Sequence, residues 1–246
     1  MNVRFVVQAR LQSTRLPRKV LMPIGGRSLL EHIFERMQRV AGPQLVMFAV
    51  PAEEDELKKY LLERGYNFRG GEMQNVLSRY LDCSNDLREN DFVFRLTADN
   101  PFVDFAAARA TLEFLSTSEC DYVYPAGLPL GMGFEAIRVA ALRKQSRYHL
   151  RPHHTEHVTM FIKENPALFK IAQLPLYPDQ YSEKIRLTID EETDLRFARK
   201  IYDTFNAAGK PEFCAGEVYE LYRREPGFFS DNILVRQKSP KSYEKK

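Results

Sequence analysis

Cysteine is scarce. The 246 residues contain three, Cys83, Cys120 and Cys214, and no CxxC pair. An odd number of distant thiols argues against a disulfide framework and a cysteine zinc site, and fits a reducing compartment. Long hydrophobic runs are missing too. No stretch approaches the ~20 apolar residues of a membrane span. The run Phe5-Val6-Val7 is too short for the h-region of a signal peptide. The expectation is a cytoplasmic protein. An excess of one charge is also lacking: 36 basic against 33 acidic residues leave +3, too slight to argue for nucleic acid or a membrane surface. There is no internal repeat and no linker long enough to cut the chain.

What is present is ordinary globular material. Apolar residues make up 44% and charged residues 28%, which excludes a wholly disordered chain. At roughly 150 residues per domain the length allows one large domain or two small ones. With no linker, one domain over residues 1–237 is expected. Residues 238–246 are basic and nearly free of apolar side chains, so a disordered tail is expected there.

Strand and helix signals alternate. Residues 3–7 form a short β-branched run, the signature of a buried strand. Ser28 and Glu31 form a capping box ahead of a helix whose apolar face is Leu29, Leu30, Ile33, Phe34, Met37 and Val40. Strands are expected at 45–50, 66–68, 92–96, 121–124, 169–174 and 185–189. Helices are expected at 53–64, 75–82, 106–115, 152–163 and 193–205. This order predicts an α/β sandwich around a mainly parallel sheet.

In such a sheet, ligands bind beyond the carboxyl ends of the strands. The loop after the first strand is strongly basic. It carries Arg10, Arg15, Arg18 and Lys19, with Ser13 and Thr14 between them. Cations and hydroxyls in that setting suit a polyphosphate, because guanidinium groups match phosphate oxygens in pairs. A solvated basic loop fits the same residues, and the loop has neither the P-loop nor the GxGxxG pattern. As a loop residue, Lys19 is expected to be exposed and to matter little for folding. Asp99 follows a predicted strand, and so does Asp190. Each could cap the next turn or helix. Together, facing the basic loop, they would make a metal–triphosphate site.

His153-His154-Thr155-Glu156-His157 fits H-x-x-E-H, an inverted zinc-peptidase pattern. On one helix His153 and His157 would share a face, with Glu156 as base. A helix bearing polar, substrate-facing groups is the competing reading.

Four segments in order now point to a family. Gln8-Ala9-Arg10 through Arg15-Leu16-Pro17-Arg18-Lys19 resembles the QAR-x-x-S-T-R-L-P-x-K signature of sugar-activating cytidylyltransferases. The resemblance is to the SpsF-type (spore coat polysaccharide biosynthesis) branch, and beyond it to CMP-sialic acid and CMP-KDO synthetases. Gly71-Glu72 through Asn75-Val76-Leu77-Ser78-Arg79-Tyr80 resembles G-x-x-x-NVL-x-RY. Arg95-Leu96-Thr97-Ala98-Asp99-Asn100-Pro101 resembles R-x-T-G-D-x-P, with Ala98 in the place of glycine. Arg186-Leu187-Thr188-Ile189-Asp190 with Asp194-Leu195 resembles RLT-x-D-x-x-x-DL. Glu156-His157-Val158-Thr159 resembles EHVT and competes with the zinc reading.

The resemblance implies a nucleotide-diphospho-sugar transferase fold, a Rossmann-like sandwich with a mainly parallel mixed sheet and helices on both faces. It implies CTP, Mg²⁺, a small acceptor and a homodimer. Arg10, Ser13, Arg15 and Lys19 would hold the triphosphate. Asp99 and Asp190 would bind Mg²⁺. Gln8 and Ala9 would line the nucleotide, with Asn75, Arg79, Arg95 and Thr97 near it. Lys19, Arg15 and Asp99 would carry catalysis, and Glu135, His157 and Arg186 would meet the acceptor. Alternatives from the same fold and from outside it are a glycosyltransferase using a nucleotide sugar and a non-catalytic nucleotide-binding protein.

Overall fold

The computed structural model describes residues 1–177 and 179–236, without the side chains of 179–181. The expected tail at 238–246 lies outside the described residues. In chain order the elements are β1 (Val3–Gln8), β2 (Pro23–Ile24), β3 (Arg27–Ser28), α1 (Leu29–Ala41), β4 (Val46–Pro51), α2 (Asp55–Glu63), β5 (Asn67–Gly71), α3 (Val76–Asp82) and β6 (Phe92–Thr97). There follow α4 (Phe105–Thr117), β7 (Tyr122–Ala126), β8 (Glu135–Arg138), α5 (Val139–Gln145), α6 (Pro152–Glu156), α7 (Met160–Glu164), β9 (Ile171–Pro175), α8 (Glu192–Ala207) and α9 (Ala215–Arg224).

Seven strands make one sheet in the order β5-β4-β1-β6-β8-β7-β9. β5, β4, β1 and β6 run parallel, β8 is antiparallel to both its neighbours, and β9 is parallel to β7. This is the expected mainly parallel mixed sheet. Alternation along the strands sends side chains to opposite faces. Phe5, Val7, Phe48 and Phe94 pack with α1, α2 and α4 through Ile33, Met37, Leu57, Leu61 and Ala108. Val6, Ala49, Val93 and Ile137 pack with α3, α5 and α7 through Leu77, Tyr80, Leu142 and Ile162. Helices therefore cover both faces. A third cluster joins Ile24, Leu29 and Phe102 to α8 and α9. The α1 capping box is formed as expected: the Ser28 hydroxyl accepts the Glu31 N–H, and the Glu31 carboxylate accepts the Ser28 N–H.

Two expected elements differ. Residues 185–189 are not a strand but an extended segment with one bridge, Leu130 to Arg186. Ile185, Leu187 and Ile189 are buried in the third cluster, and that burial produced the strand-like alternation. The helix expected at 152–163 is broken into α6 and α7, and His157 caps α6 with φ −105° and ψ 51°. Sequence reading also missed the β2–β3 hairpin, β8, α5 and α9. Among the described residues no helix is long and apolar enough to cross a membrane.

The strand order reverses between β1 and β6. Their carboxyl ends, Gln8 and Thr97, are register partners. The loops that follow them flank the crevice where open α/β sheets take ligands.

Candidate active site

Lys19 occupies the centre of this crevice. It opens a single 3₁₀ turn, behind Arg18, which stands in the left-handed region at φ +60°. Its ammonium donates to the Ile189 carbonyl at 2.6 Å, to Asp190 Oδ1 at 3.2 Å and to Asp99 Oδ2 at 3.5 Å. Its side chain is 12% exposed. The expected exposed loop lysine is thus a largely covered one, drawn in by two carboxylates and a carbonyl. Asp99 and Asp190 come from distant parts of the chain, yet their backbones are tied together. The Ile189 N–H donates to the Asp99 carbonyl at 2.9 Å. That bond does the positioning that a strand was expected to do.

Asp190 faces three cations. Arg15 Nη2 lies 3.0 Å from its Oδ2, and Arg186 Nη2 donates to the same oxygen at 2.9 Å. Burial pushes its carboxyl up, but Lys19 and Arg15 outweigh that and hold it below the usual range. Arg15 also pairs with Glu191 at 3.1 Å. Behind Asp190, the buried Asp194 accepts from Arg186 Nε at 2.9 Å, from Asn232 Nδ2 at 2.9 Å, and from the N–H groups of Asp190 and Glu191 at 2.9 and 3.1 Å.

Arg186, an expected acceptor residue, is placed against the two carboxylates. Its guanidinium is 7% exposed and spans Asp190 and Asp194. It braces the carboxylate and does not line the cavity beside the site. Arg79, expected near the nucleotide, is engaged by backbone. It is 2% exposed, and its Nη1 donates to the carbonyls of Glu72 and Met73 at 2.6 and 3.0 Å. It shapes the turn before α3. Asn75 caps that helix by accepting the Ser78 N–H at 3.0 Å.

The other nucleotide candidates stand at the end of β1 and in the loop that follows it. The Ala9 N–H donates to the Ala49 carbonyl, and Gln8 ends β1. Ser13 Oγ accepts the Leu16 N–H at 3.3 Å and fixes the loop's turn. Arg10 is half-exposed, 3.9 Å from Glu156. Ala98, read from the sequence as standing where a glycine is expected, is 4% exposed and packs in the core.

Beside this centre lies a cavity of about 760 Å³, lined among others by Arg95, Thr97, Tyr122, Tyr124, Glu135 and Lys163. Glu135 is its hub. It accepts from Arg95 Nη1 at 2.8 Å, Tyr122 Oη at 2.5 Å and Thr159 Oγ1 at 3.0 Å, and pairs with Lys163. Burial pushes the Glu135 carboxyl up, but Arg95 and Lys163 prevail and hold it down at about 2. His157 does not line this cavity. Burial lowers its proton affinity below the ordinary imidazole value.

The zinc-peptidase reading is also corrected. His157 lies past the end of α6, so it does not share a helix face with His153. What gathers instead is His153, His154 and Glu164, with ligand atoms within 4.8 Å of one another. His154 Nδ1 accepts the Arg151 N–H at 3.0 Å, so its proton sits on Nε2 and is donated to Glu164 at 2.8 Å. That tautomer leaves His154 no lone pair for a metal.

A divalent cation fits the centre. Asp99 and Asp190 supply hard oxygen donors that already converge on one point of positive charge, the Lys19 ammonium. Sequence reading missed Asn232, Lys163 and Tyr122. It quoted Asp194 only inside a motif. Asn232 carried no local signal at all, being 38 residues from the carboxylate it serves.

Known proteins share this arrangement of elements. The Cytidylyltransferase family profile matches residues 4–222. The spore coat polysaccharide biosynthesis protein SpsF of Bacillus subtilis (strain 168) is 32% identical over 234 residues, covering 92% of this chain and 95% of that protein. A cytidylyltransferase structure from Leptospira borgpetersenii serovar Hardjo-bovis superposes with a TM-score of 0.85 at 25% identity, covering 96% of this chain and all of that one. A CMP:2-keto-3-deoxy-manno-octonic acid synthetase complexed with CTP shares the fold, with a TM-score of 0.65 at 15% identity over 83% of this chain and 99% of that one. With its family pattern running from β1 to α9 over the crevice just described, the chain belongs to the cytidylyltransferase family and is a nucleotidyltransferase.

Proposed function

We propose that the chain transfers a cytidylyl group from CTP to a small acceptor. The acceptor class is a sugar acid, a sugar phosphate or a related phosphorylated metabolite, and the product serves surface polysaccharide or glycan biosynthesis. The observation that carries the reading is the convergence of Lys19 and Arg15 on Asp99 and Asp190 at the β1–β6 switch point of a cytidylyltransferase fold. We further propose that it works in the cytoplasm as a homodimer with Mg²⁺.

In this reading an acceptor oxygen attacks the α-phosphorus of CTP in line. The bond from that phosphorus to the bridging oxygen breaks, and pyrophosphate leaves with the electron pair. The chain's work is positioning and charge neutralisation. Arg10, Ser13, Arg15 and Lys19 receive the triphosphate. Lys19 and Arg15 offset charge on the departing pyrophosphate. Asp99 and Asp190 would hold Mg²⁺, which when bound supplies Lewis-acid polarisation of the phosphoryl oxygens. The 760 Å³ cavity receives the acceptor. Arg95 and Lys163 outnumber Glu135 there, which suits an anionic group.

Calorimetry with CTP, UTP, GTP and ATP, each with and without Mg²⁺, tests the nucleotide. CTP-selective, Mg²⁺-dependent binding that Asp99→Ala abolishes is the expected result. Pyrophosphate release across an acceptor panel then finds the acceptor. No triphosphate binding under any of these conditions overturns the reading. Turnover of a nucleotide sugar without pyrophosphate release would favour a glycosyltransferase.

A further inference from the structure

The loop that carries Arg10, Ser13 and Arg15 is gripped by its backbone. The grip comes from Glu54, which lies between β4 and α2 and is 7% exposed. Both its carboxylate oxygens accept the Leu11 N–H, at 2.9 and 2.8 Å, and Oε1 also faces the Gln12 N–H at 3.4 Å. On its other side, the Leu11 carbonyl accepts the Arg18 N–H at 2.9 Å. Leu11 is therefore held at both ends of its peptide unit. One end is fixed to the strand-end turn after β4. The other is fixed to the left-handed residue immediately before Lys19. Glu54 is in turn set by its own backbone, donating to the Pro51 carbonyl at 3.3 Å and accepting from the Lys58 N–H at 3.1 Å.

A negative charge beside a triphosphate loop would repel the ligand if it faced it. This one is buried and spent on backbone donors. Hydrogen bonds with an ionised acceptor are the stronger kind, and two backbone N–H groups would otherwise lose their partner. Resting on the triphosphate reading above, we infer that Glu54 is a positioning residue for CTP binding: it pins the Leu11 and Gln12 amides and so sets where Arg10, Ser13 and Lys19 meet the phosphates.

The test compares Glu54→Gln and Glu54→Ala by CTP calorimetry, by kcat and KM in pyrophosphate release, and by hydrogen exchange at the Leu11 amide. Glu54→Gln keeps Oε1 as acceptor and should bind CTP within about threefold of the wild type. Glu54→Ala should weaken CTP binding tenfold or more, raise KM more than it lowers kcat, and speed exchange at Leu11, consistent with losing a charge-assisted bond. If Glu54→Ala does not fold, Glu54→Asp, which withdraws the carboxylate by one methylene, takes its place with the same expectation. Unchanged CTP affinity in the truncated variant overturns the inference, and so does a Gln variant as impaired as the Ala one. Tighter CTP binding in Glu54→Ala also overturns it, because Glu54 would then compete for the phosphate amides. Absence of CTP binding by the wild type overturns this inference together with the function above.

Discussion

Replacing Asp194 with alanine measures what the charge network behind Asp190 contributes. The Asp194 carboxylate is fully buried and accepts five hydrogen bonds, two from Arg186, one from Asn232 and two from the backbone of Asp190 and Glu191. The variant leaves the Arg186 guanidinium, 7% exposed, with Asp190 as its remaining carboxylate among the described residues. Removing one partner of a buried ion pair costs about 3–5 kcal/mol. Because Arg186 keeps Asp190, the lower end, about 3 kcal/mol, is expected. For a chain of this length about 2–4 °C is lost per kcal/mol, so the midpoint should fall by about 6–12 °C. Urea titration should show the same loss with an unchanged m-value. Pyrophosphate release should fall with it, because the Asp190 and Glu191 amides lose their acceptor and the Asp190 carboxylate loosens. A variant that melts within about 2 °C of the wild type would refute the network as a source of stability.

Lys19→Met should lower kcat/KM for CTP by roughly 10²- to 10³-fold, the usual cost of removing a charge-stabilising donor, as read by single-turnover kinetics. Its melting point should drop as well, since the variant leaves Asp99 and Asp190 facing each other. His32 is 5% exposed, and burial, aided by Arg36 and Arg27, overrides its bond to the Ile24 carbonyl and lowers its pKa to about 4. The unfolded chain takes up this proton near 6.5 and the folded chain does not. Stability is thus complete above pH 6.5 and falls by about 3 kcal/mol as the pH drops to 4. Denaturation of wild type and His32→Gln at pH 7 and pH 4.5 should show a smaller acid loss in the variant than in the wild type. Gly131→Ala should destabilise by at least about 2 kcal/mol, because the residue has φ +100° and the added carbon would stand 2.2 Å from the Thr188 nitrogen. An Ala variant with wild-type stability would contradict the close approach of Gly131 to the 187–188 backbone.

The alternation of short β-branched runs with amphipathic helices made the parallel half of the fold legible, since burial on both faces leaves a periodic trace along the chain. The same trace misled at 185–189. There, apolar alternation reflects packing against α8 and α9, not strand pairing. The helix expected through 163 breaks at His157, and the Thr159 hydroxyl turns to Glu135. No local periodicity records a bond to a residue 24 positions away. In the site, residue type was readable and direction was not. Lys19, Asp99 and Asp190 meet as expected. Arg79 and Arg186 carry the same chemistry as Arg15 but spend it on carbonyls and carboxylates behind the crevice. Glu54 and Asn232 act across the fold, so their partners are set by topology alone.

The loop between β7 and β8 has fixed positions and open ones. Leu130 exchanges backbone bonds with Ile185 and Leu187, so main-chain bonds hold the loop's course together with the buried Met132 and Phe134. Gly127 and Gly131 are the positions where a side chain would strike backbone, the Tyr177 carbonyl and the Thr188 nitrogen. Gly133, by contrast, has open space around it. Position 133 can therefore take a side chain, while Gly127 and Gly131 are held by their contact with backbone. On the function proposed above, substitutions in this loop would change which acceptor fits while leaving the Lys19, Asp99 and Asp190 cluster in place.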